Sequence, residues 1–238
     1  MIVLVQTERR TDGRTVGLLD GEEHHLRVRR AREGEIVGLR DGTGLVGTGR
    51  LVRVGKGWAV EVARAAVGPR PPALRVAVGA GDRERFAWLV EKAAELGVTD
   101  LHPLDSANAA AVATRVRHAQ LERLRRRALE ATKQCGAAWA PVVHTPEPLA
   151  GFVARRFAGE RWLADVEGDA PPPPPAGELT VIVGPEGGLT ADERSLALAA
   201  GYRAVRLGAH TLRFETAALA AAALAAAGRL TGTGGSDG

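Results

Sequence analysis

Residues 180–217 decide the fold. They open with Thr180-Val181-Ile182-Val183-Gly184-Pro185-Glu186-Gly187-Gly188-Leu189-Thr190-Ala191-Asp192-Glu193-Arg194 and close with Val205-Arg206-Leu207-Gly208-Ala209-His210-Thr211-Leu212-Arg213-Phe214-Glu215-Thr216-Ala217. The β-branched run Val181–Val183 has the length of a buried strand. Gly184 to Gly188 suits neither strand nor helix and predicts a sharp turn. Thr190 and Glu193 form a capping box, so a helix starts there, and Gly201 falls where it should stop. Ala204–Leu207 reads as a second strand and Gly208–Phe214 as a second special loop. Strand, Gly-rich loop, helix, strand, loop and helix together predict an α/β unit, whose ligands bind at the carboxyl ends of parallel strands. Glycines there let bare backbone press against a flat ligand. The motif is neither the phosphate loop, lacking Gly-Lys-Ser/Thr, nor the dinucleotide pattern Gly-x-Gly-x-x-Gly. Taken alone, the first loop is explained equally well as an ordinary tight turn.

Toward the N-terminus the pattern changes. Runs at Ile2–Val5, Glu35–Leu39, Leu45–Val54 and Trp58–Val62, punctuated by Asp12-Gly13, Asp41-Gly42, Gly44 and Gly55-Lys56-Gly57, predict a small β domain over residues 1–67. Within it, Glu22 to Gly34 reads as a short basic helix holding the pair His24-His25. No third ligand stands at a metal-binding spacing, so no metal is expected. Gly68-Pro69-Arg70-Pro71-Pro72 is a stiff joint, and residues 68–73 are taken as the linker. Leu74–Val78 predicts a strand. Phe86, Leu89, Val90, Ala93 and Leu96 recur at helical spacing before Gly97, and Leu101–Leu104 is the next strand. Ser106–Thr114 reads as a loop. Leu121, Leu124, Ala128, Ala131 and Cys135 make one helical stripe, with Arg123, Arg125, Arg126, Arg127 and Lys133 on the other faces. Such a face is either solvated or meets an RNA backbone. Leu163–Asp165 predicts one more strand, Pro171–Pro175 a spacer, and Ala217–Ala227 an Ala-rich helix. Residues 231–238 are expected to be a disordered tail.

The 238 residues are 45% hydrophobic and 25% charged, enough for one or two cores. The single cysteine excludes an internal disulfide and suits a cytoplasmic protein. No apolar run is long enough for a membrane span, and no signal peptide is visible. A net charge of +4 permits nucleic acid as a partner without demanding it.

The two spaced motifs, Gly184-Pro185-Glu186-Gly187-Gly188 and Leu207-Gly208-x-x-x-Leu212-Arg213-x-Glu215-Thr216-Ala217, resemble those of the bacterial small-subunit ribosomal RNA uridine N3-methyltransferases, the RsmE type of the SPOUT superfamily. The segments His24-His25-Leu26, Lys92 to Gly97 and Glu130 to Gly136 resemble the same family, so the likeness covers nearly the whole chain. The resemblance implies a PUA-like barrel for RNA docking over 1–67, and a SPOUT domain over 74–230 with a parallel sheet and a deep trefoil knot. It implies S-adenosylmethionine as methyl donor, a homodimer in which the Ala-rich helix takes part, and 16S ribosomal RNA of the small subunit as substrate.

On that likeness Leu163, Gly184, Pro185, Glu186, Gly187, Gly188, Leu207, Gly208, Leu212 and Arg213 hold the cofactor. Arg213 is expected to stabilise the developing uracil oxyanion, and Glu215 or Glu186 to accept the N3 proton. A helix N-terminal carboxylate paired with Arg213 explains Glu215 equally well. Filling Gly187 with valine should take up the ligand's space. His25, Arg27, Arg29, Arg30, Arg123 and Arg126 are the candidate RNA contacts. The chain departs from the family at Ala80 and Ala137, where a lysine and an arginine are usual, and at Asn108, where an arginine is usual. Two other readings stay open: a SPOUT methyltransferase acting on another RNA, and a non-catalytic RNA-binding protein. Cofactor binding separates the latter from both enzymes.

Overall fold

The structure is a computed structural model that describes residues 1–10, 14–173 and 175–232. It divides into two compact units, Met1–Arg70 with Leu129–Ala140, and Pro71–Ala128 with Pro141–Gly238.

The first unit is a closed barrel in the order β1-β2-β5-β4-β3. Its strands are β1 (Ile2–Arg10), β2 (Thr15–Leu18), β3 (Ile36–Arg40), β4 (Leu45–Val54) and β5 (Gly57–Val67). Alternation turns Val3, Val5, Val37, Leu39, Leu51 and Val60 inward, and Leu26 of α1 (Glu22–Val28) joins them. β2 was not expected, and the predicted Asp12-Gly13 turn lies outside the described residues. Glu22 is buried, but its carboxylate accepts the Leu4 N–H at 3.2 Å and the Lys133 ammonium at 2.6 Å. Charge pairing with hydrogen bonds is what lets an acid stay in a core.

A domain of residues 1–67 alone would omit the segment from Leu129 to Ala140. The Ala140 N–H donates to the Gly42 carbonyl, the Gly44 N–H to the Ala138 carbonyl, and Trp139 Nε1 to the Pro69 carbonyl. Gly42 and Gly44 have φ of 77° and 107°, and a Cβ would lie 2.4 Å from Leu129 and 2.5 Å from Trp139 respectively. Both positions therefore need glycine.

The second unit is built on a parallel sheet in the order β12-β10-β11-β6-β7-β8, with β9 beside β7. Its strands are β6 (Leu74–Gly79), β7 (Asp100–Asp105), β8 (Val142–Val143), β9 (Glu147–Pro148), β10 (Glu160–Asp169), β11 (Leu179–Val183) and β12 (Arg203–Val205). All five residues of β11 are buried, as a strand covered on both faces requires. One face, with Val76, Val78, Val181 and Val183, packs with residues of α2 (Arg83–Glu95), α4 (Leu121–Cys135) and α7 (Phe214–Gly232). The other, with Ala77, Leu104 and Ile182, packs with residues of α5 (Leu149–Ala154) and α6 (Ala191–Ala199).

Several expectations need correction. The loop expected over Ser106–Thr114 contains a helical turn, α3 (Ala107–Ala110). Cys135 is exposed, and Thr132 takes the buried place on the α4 stripe. Thr231 and Gly232 continue α7, while 233–238 lie outside the described residues, as does Pro174 of the spacer. Buried Ala217, Ala218, Ala221, Ala222 and Ala225 place the small-residue face of α7 in the chain's own core, against α2, β6 and β11.

His102 stacks on His144 at 3.9 Å between centroids, and its Nδ1 lies 3.2 Å from Glu147. Burial first, then the charge on His144 and Arg155, pushes its pKa from 6.5 down to about 3. The unfolded chain thus takes up a proton that the folded chain refuses. The contribution of His102 to stability is whole above about pH 6.5 and is lost as pH falls toward 3. The slope is at most about 1.4 kcal/mol per pH unit. Urea titrations should show His102→Phe flattening this acid limb, and an unchanged limb would contradict the assignment.

Candidate cofactor and substrate site

β11 delivers the chain into the loop at Gly184. A Cβ there would stand 3.0 Å from Leu189 N and 3.1 Å from the Gly188 carbonyl carbon, so the turn closes on bare backbone. The Gly188 N–H donates to the Pro185 carbonyl at 2.8 Å, and Gly188 takes φ of 70°. The capping box then starts α6: Thr190 Oγ1 accepts from Glu193 N, and Glu193 Oε2 accepts from Thr190 N. Pro185 sits against Gly79, where a Cβ would come within 2.5 Å, and Glu186 Oε1 accepts the Asp82 N–H at 3.2 Å. These contacts fix the first loop to the ends of β6 and β11.

The second loop leaves β12 and enters α7, and Leu212 folds back over Gly208. A third wall comes from β10. Val205 pairs with both Ala164 and Asp169, so residues 165–168 arch past it. Asp165 holds Arg194 of α6 at 2.5 Å.

The three segments enclose a cleft of about 560 Å³ at the carboxyl ends of the strands. Leu163, Gly184, Pro185, Glu186, Gly187, Gly188, Leu207, Gly208, Leu212 and Arg213 all line it. The structure adds Asp165, Leu189, Arg194, Arg206, His210 and Thr211, which the sequence did not single out. Five of these are positions within the two quoted stretches whose residue types carry no signal of their own, and only Asp165, from β10, is brought in from elsewhere by the fold. Apolar walls, exposed backbone and a few charges suit a flat heterocycle with a polar tail.

Glu215 is not part of the lining. It is 6% exposed, with Oε1 facing Arg85 Nη1 at 3.4 Å and Oε2 unpartnered among the described residues. Its neighbour is thus Arg85 rather than Arg213. Of the two carboxylates that line the cleft, Asp165 is paired with Arg194, which leaves Glu186. Gly187 also differs from expectation. A Cβ on it would meet Asn108 Cβ at 3.1 Å, so a valine presses on Asn108 before it fills the cleft.

None of the candidate RNA contacts is among the residues that line the cleft. His25 Nδ1 rests against Glu22 and Lys133, Arg27 hydrogen-bonds His24 at 2.9 Å, and Arg29 and Arg30 are exposed. On α4, Arg123 pairs with Glu84, Arg125 with Glu122 and Arg127 with Glu91, while Arg126 is exposed. Much of the basic face is therefore answered from within the chain. Of the three departures, Ala80 is fully buried with its N–H on the Leu104 carbonyl. Asn108 bonds the first loop, and Ala137 is half-buried.

Two clusters have metal-like composition. In Glu22–His25–Glu130 the Lys133 ammonium already bonds both carboxylates. In Asp100–His102–His144 the rings are stacked 8° from parallel, and parallel planes cannot both contain one ion.

A family model described as an RNA methyltransferase domain matches residues 69–226, and one described as an RNA methyltransferase PUA domain matches 18–58. The Ribosomal RNA small subunit methyltransferase E of Mycobacterium bovis is 34% identical over 92% of this chain and 88% of its own. That of Synechocystis is 32% identical over 85% and 70%. Among solved structures, the protein of the same name from Neisseria gonorrhoeae, bound to S-adenosyl methionine, superposes with a TM-score of 0.80 at 28% identity. That match covers 94% of this chain and 96% of the other.

Proposed function

The chain belongs to the ribosomal RNA small subunit methyltransferase E family, and from this we propose that it transfers the methyl group of S-adenosylmethionine to N3 of a uridine in 16S ribosomal RNA. The observation that carries the reading is the single cleft that gathers every residue expected to hold the cofactor. The open space before Gly188, the bare backbone of both loops and the leucine walls fit such a ligand. Bound there, S-adenosylmethionine supplies an electrophilic methyl group.

The residues do the remaining work. Leu163, Leu207 and Leu212 bind and exclude water, and the backbone at 184–188 and 208 orients the ligand. Neutral uracil N3 is a poor nucleophile, so its proton must leave. Glu186 accepts that proton. Arg213 carries no ion pair among the described residues and neutralises charge on the uracil oxygens. Glu215 acts instead as the buried partner of Arg85.

We read the protein as a cytoplasmic homodimer whose second unit carries the family's trefoil knot. No helix among the described residues is long and apolar enough to cross a membrane. Mapping 3-methyluridine in ribosomal RNA of a deletion strain tests the substrate. An unchanged map would redirect the reading to another RNA, as the departures at Ala80, Asn108 and Ala137 leave room for.

RNA affinity is assigned to Arg29 and Arg30 in the first unit and Arg126 in the second. Each phosphate contact adds roughly 0.7–0.9 to the salt slope of binding. Replacing the three with alanine should flatten the slope by about two units and leave cofactor affinity unchanged. It should act alike on many RNA sequences, because phosphates carry no sequence information. Equal slopes would remove these residues from the interface.

A further inference from the structure

We propose that Asn108 is a positioning residue that latches the first cofactor loop in its binding shape; this rests on the cleft being the S-adenosylmethionine site. The Asn108 Nδ2 donates to the Gly187 carbonyl at 2.8 Å and to the Gly188 carbonyl at 3.0 Å. Both partners are oxygens that only accept, so the amide nitrogen must face them. One side-chain amide therefore fixes two successive peptide planes of the loop.

The consequence follows from the trans peptide, in which C=O and N–H point opposite ways. Turning the Gly188 carbonyl toward Asn108 turns the Leu189 N–H to the other side, and Gly188 and Leu189 both line the cleft. The latch is anchored in turn. The Ala107 N–H donates to Glu193 Oε1 at 2.8 Å, and the other oxygen of that carboxylate caps α6. Ala109 beside it is fully buried. Gly187 lets the amide lie this close: a Cβ on it would stand 3.1 Å from Asn108 Cβ and push the side chain back by a few tenths of an ångström. Asn108 does not line the cleft, so it acts through the loop and not on the ligand.

The test is calorimetric S-adenosylmethionine binding to the full chain, wild type, Asn108→Asp and Asn108→Ala. Aspartate keeps the shape but sets a carboxylate against two carbonyl oxygens. At pH 8 Asn108→Asp should bind about tenfold more weakly or worse, and Asn108→Ala about tenfold, as loss of two hydrogen bonds implies. Protonation gives the aspartate one O–H donor. The two carbonyl oxygens disfavour the ionised form and push the carboxyl above its usual value of about 3.9, so relative to wild type its affinity should recover as pH falls from 8 toward about 4, while the alanine variant stays flat. In turnover assays both variants should raise KM for the cofactor and leave kcat at saturation little changed. Wild-type affinity at pH 8 in either variant would overturn the latch, as would an aspartate variant without pH dependence. Absence of binding by the wild-type protein would instead overturn the assignment of the cleft.

Discussion

Gly188→Val is expected to abolish S-adenosylmethionine binding while the sheet stays folded. Gly188 has φ of 70°, a conformation in which a β-branched residue is strained by about 1–3 kcal/mol. Nothing lies within 4 Å of the position its Cβ would take, and the residue lines the cleft. The valine must therefore either refold the turn or project branched methyls into the open space. Both outcomes remove the surface that fits the ligand, and a loss of at least about a hundredfold, roughly 2.8 kcal/mol, is expected. Calorimetry gives the affinity, and thermal unfolding checks the fold. Affinity within threefold of wild type would remove this loop from the site. Gly187→Val makes a poorer probe, because its effect runs through Asn108.

Arg213→Ala should separate chemistry from binding. The guanidinium is exposed at the cleft, while the Arg213 carbonyl accepts the Ala217 N–H and survives the substitution. Folding and α7 should be unaffected. A donor aimed at charge that develops only in the transition state contributes about 10²–10³ in rate. The expected result is a kcat lowered by about that factor with cofactor affinity within a few-fold of wild type. A loss confined to cofactor affinity would make Arg213 a binding residue.

The loops around the cleft were legible because their residues restrict the backbone locally. Gly184 to Gly188 excludes regular structure, and Thr190 with Glu193 announces the next helix. The ends of β11 and α6 follow from such rules, and so does the cleft between the loops. What escaped the sequence depends on contacts distant along the chain. Asp165 reaches Arg194 across 29 positions, Arg85 reaches Glu215 across 130, and Asn108 reaches Gly187 across 79. No periodicity marks such pairs. The arginines of α4 hid their partners for the same reason. Their density suggested free charge, and only the fold shows Glu84 and Glu91 beside them. The resemblance carried Glu215 into the reaction by its place in a motif, whereas its burial against Arg85 depends on α2.

The segment from Leu129 to Ala140 has a bearing on how such proteins can be recombined. The barrel is stitched from two separated pieces of gene, the second of them inside the region that encodes the catalytic half. A crossover at the Pro-rich joint would give a chimera whose Trp139 and Leu129 must find in a foreign barrel the bare backbone that Gly42 and Gly44 offer here. Trimming residues 1–67 would strip the same side chains of their cover, so a shortened protein would report on aggregation as much as on RNA. Exchange of the barrel between relatives therefore requires two cuts made together, with the end of α4 travelling as part of the cargo.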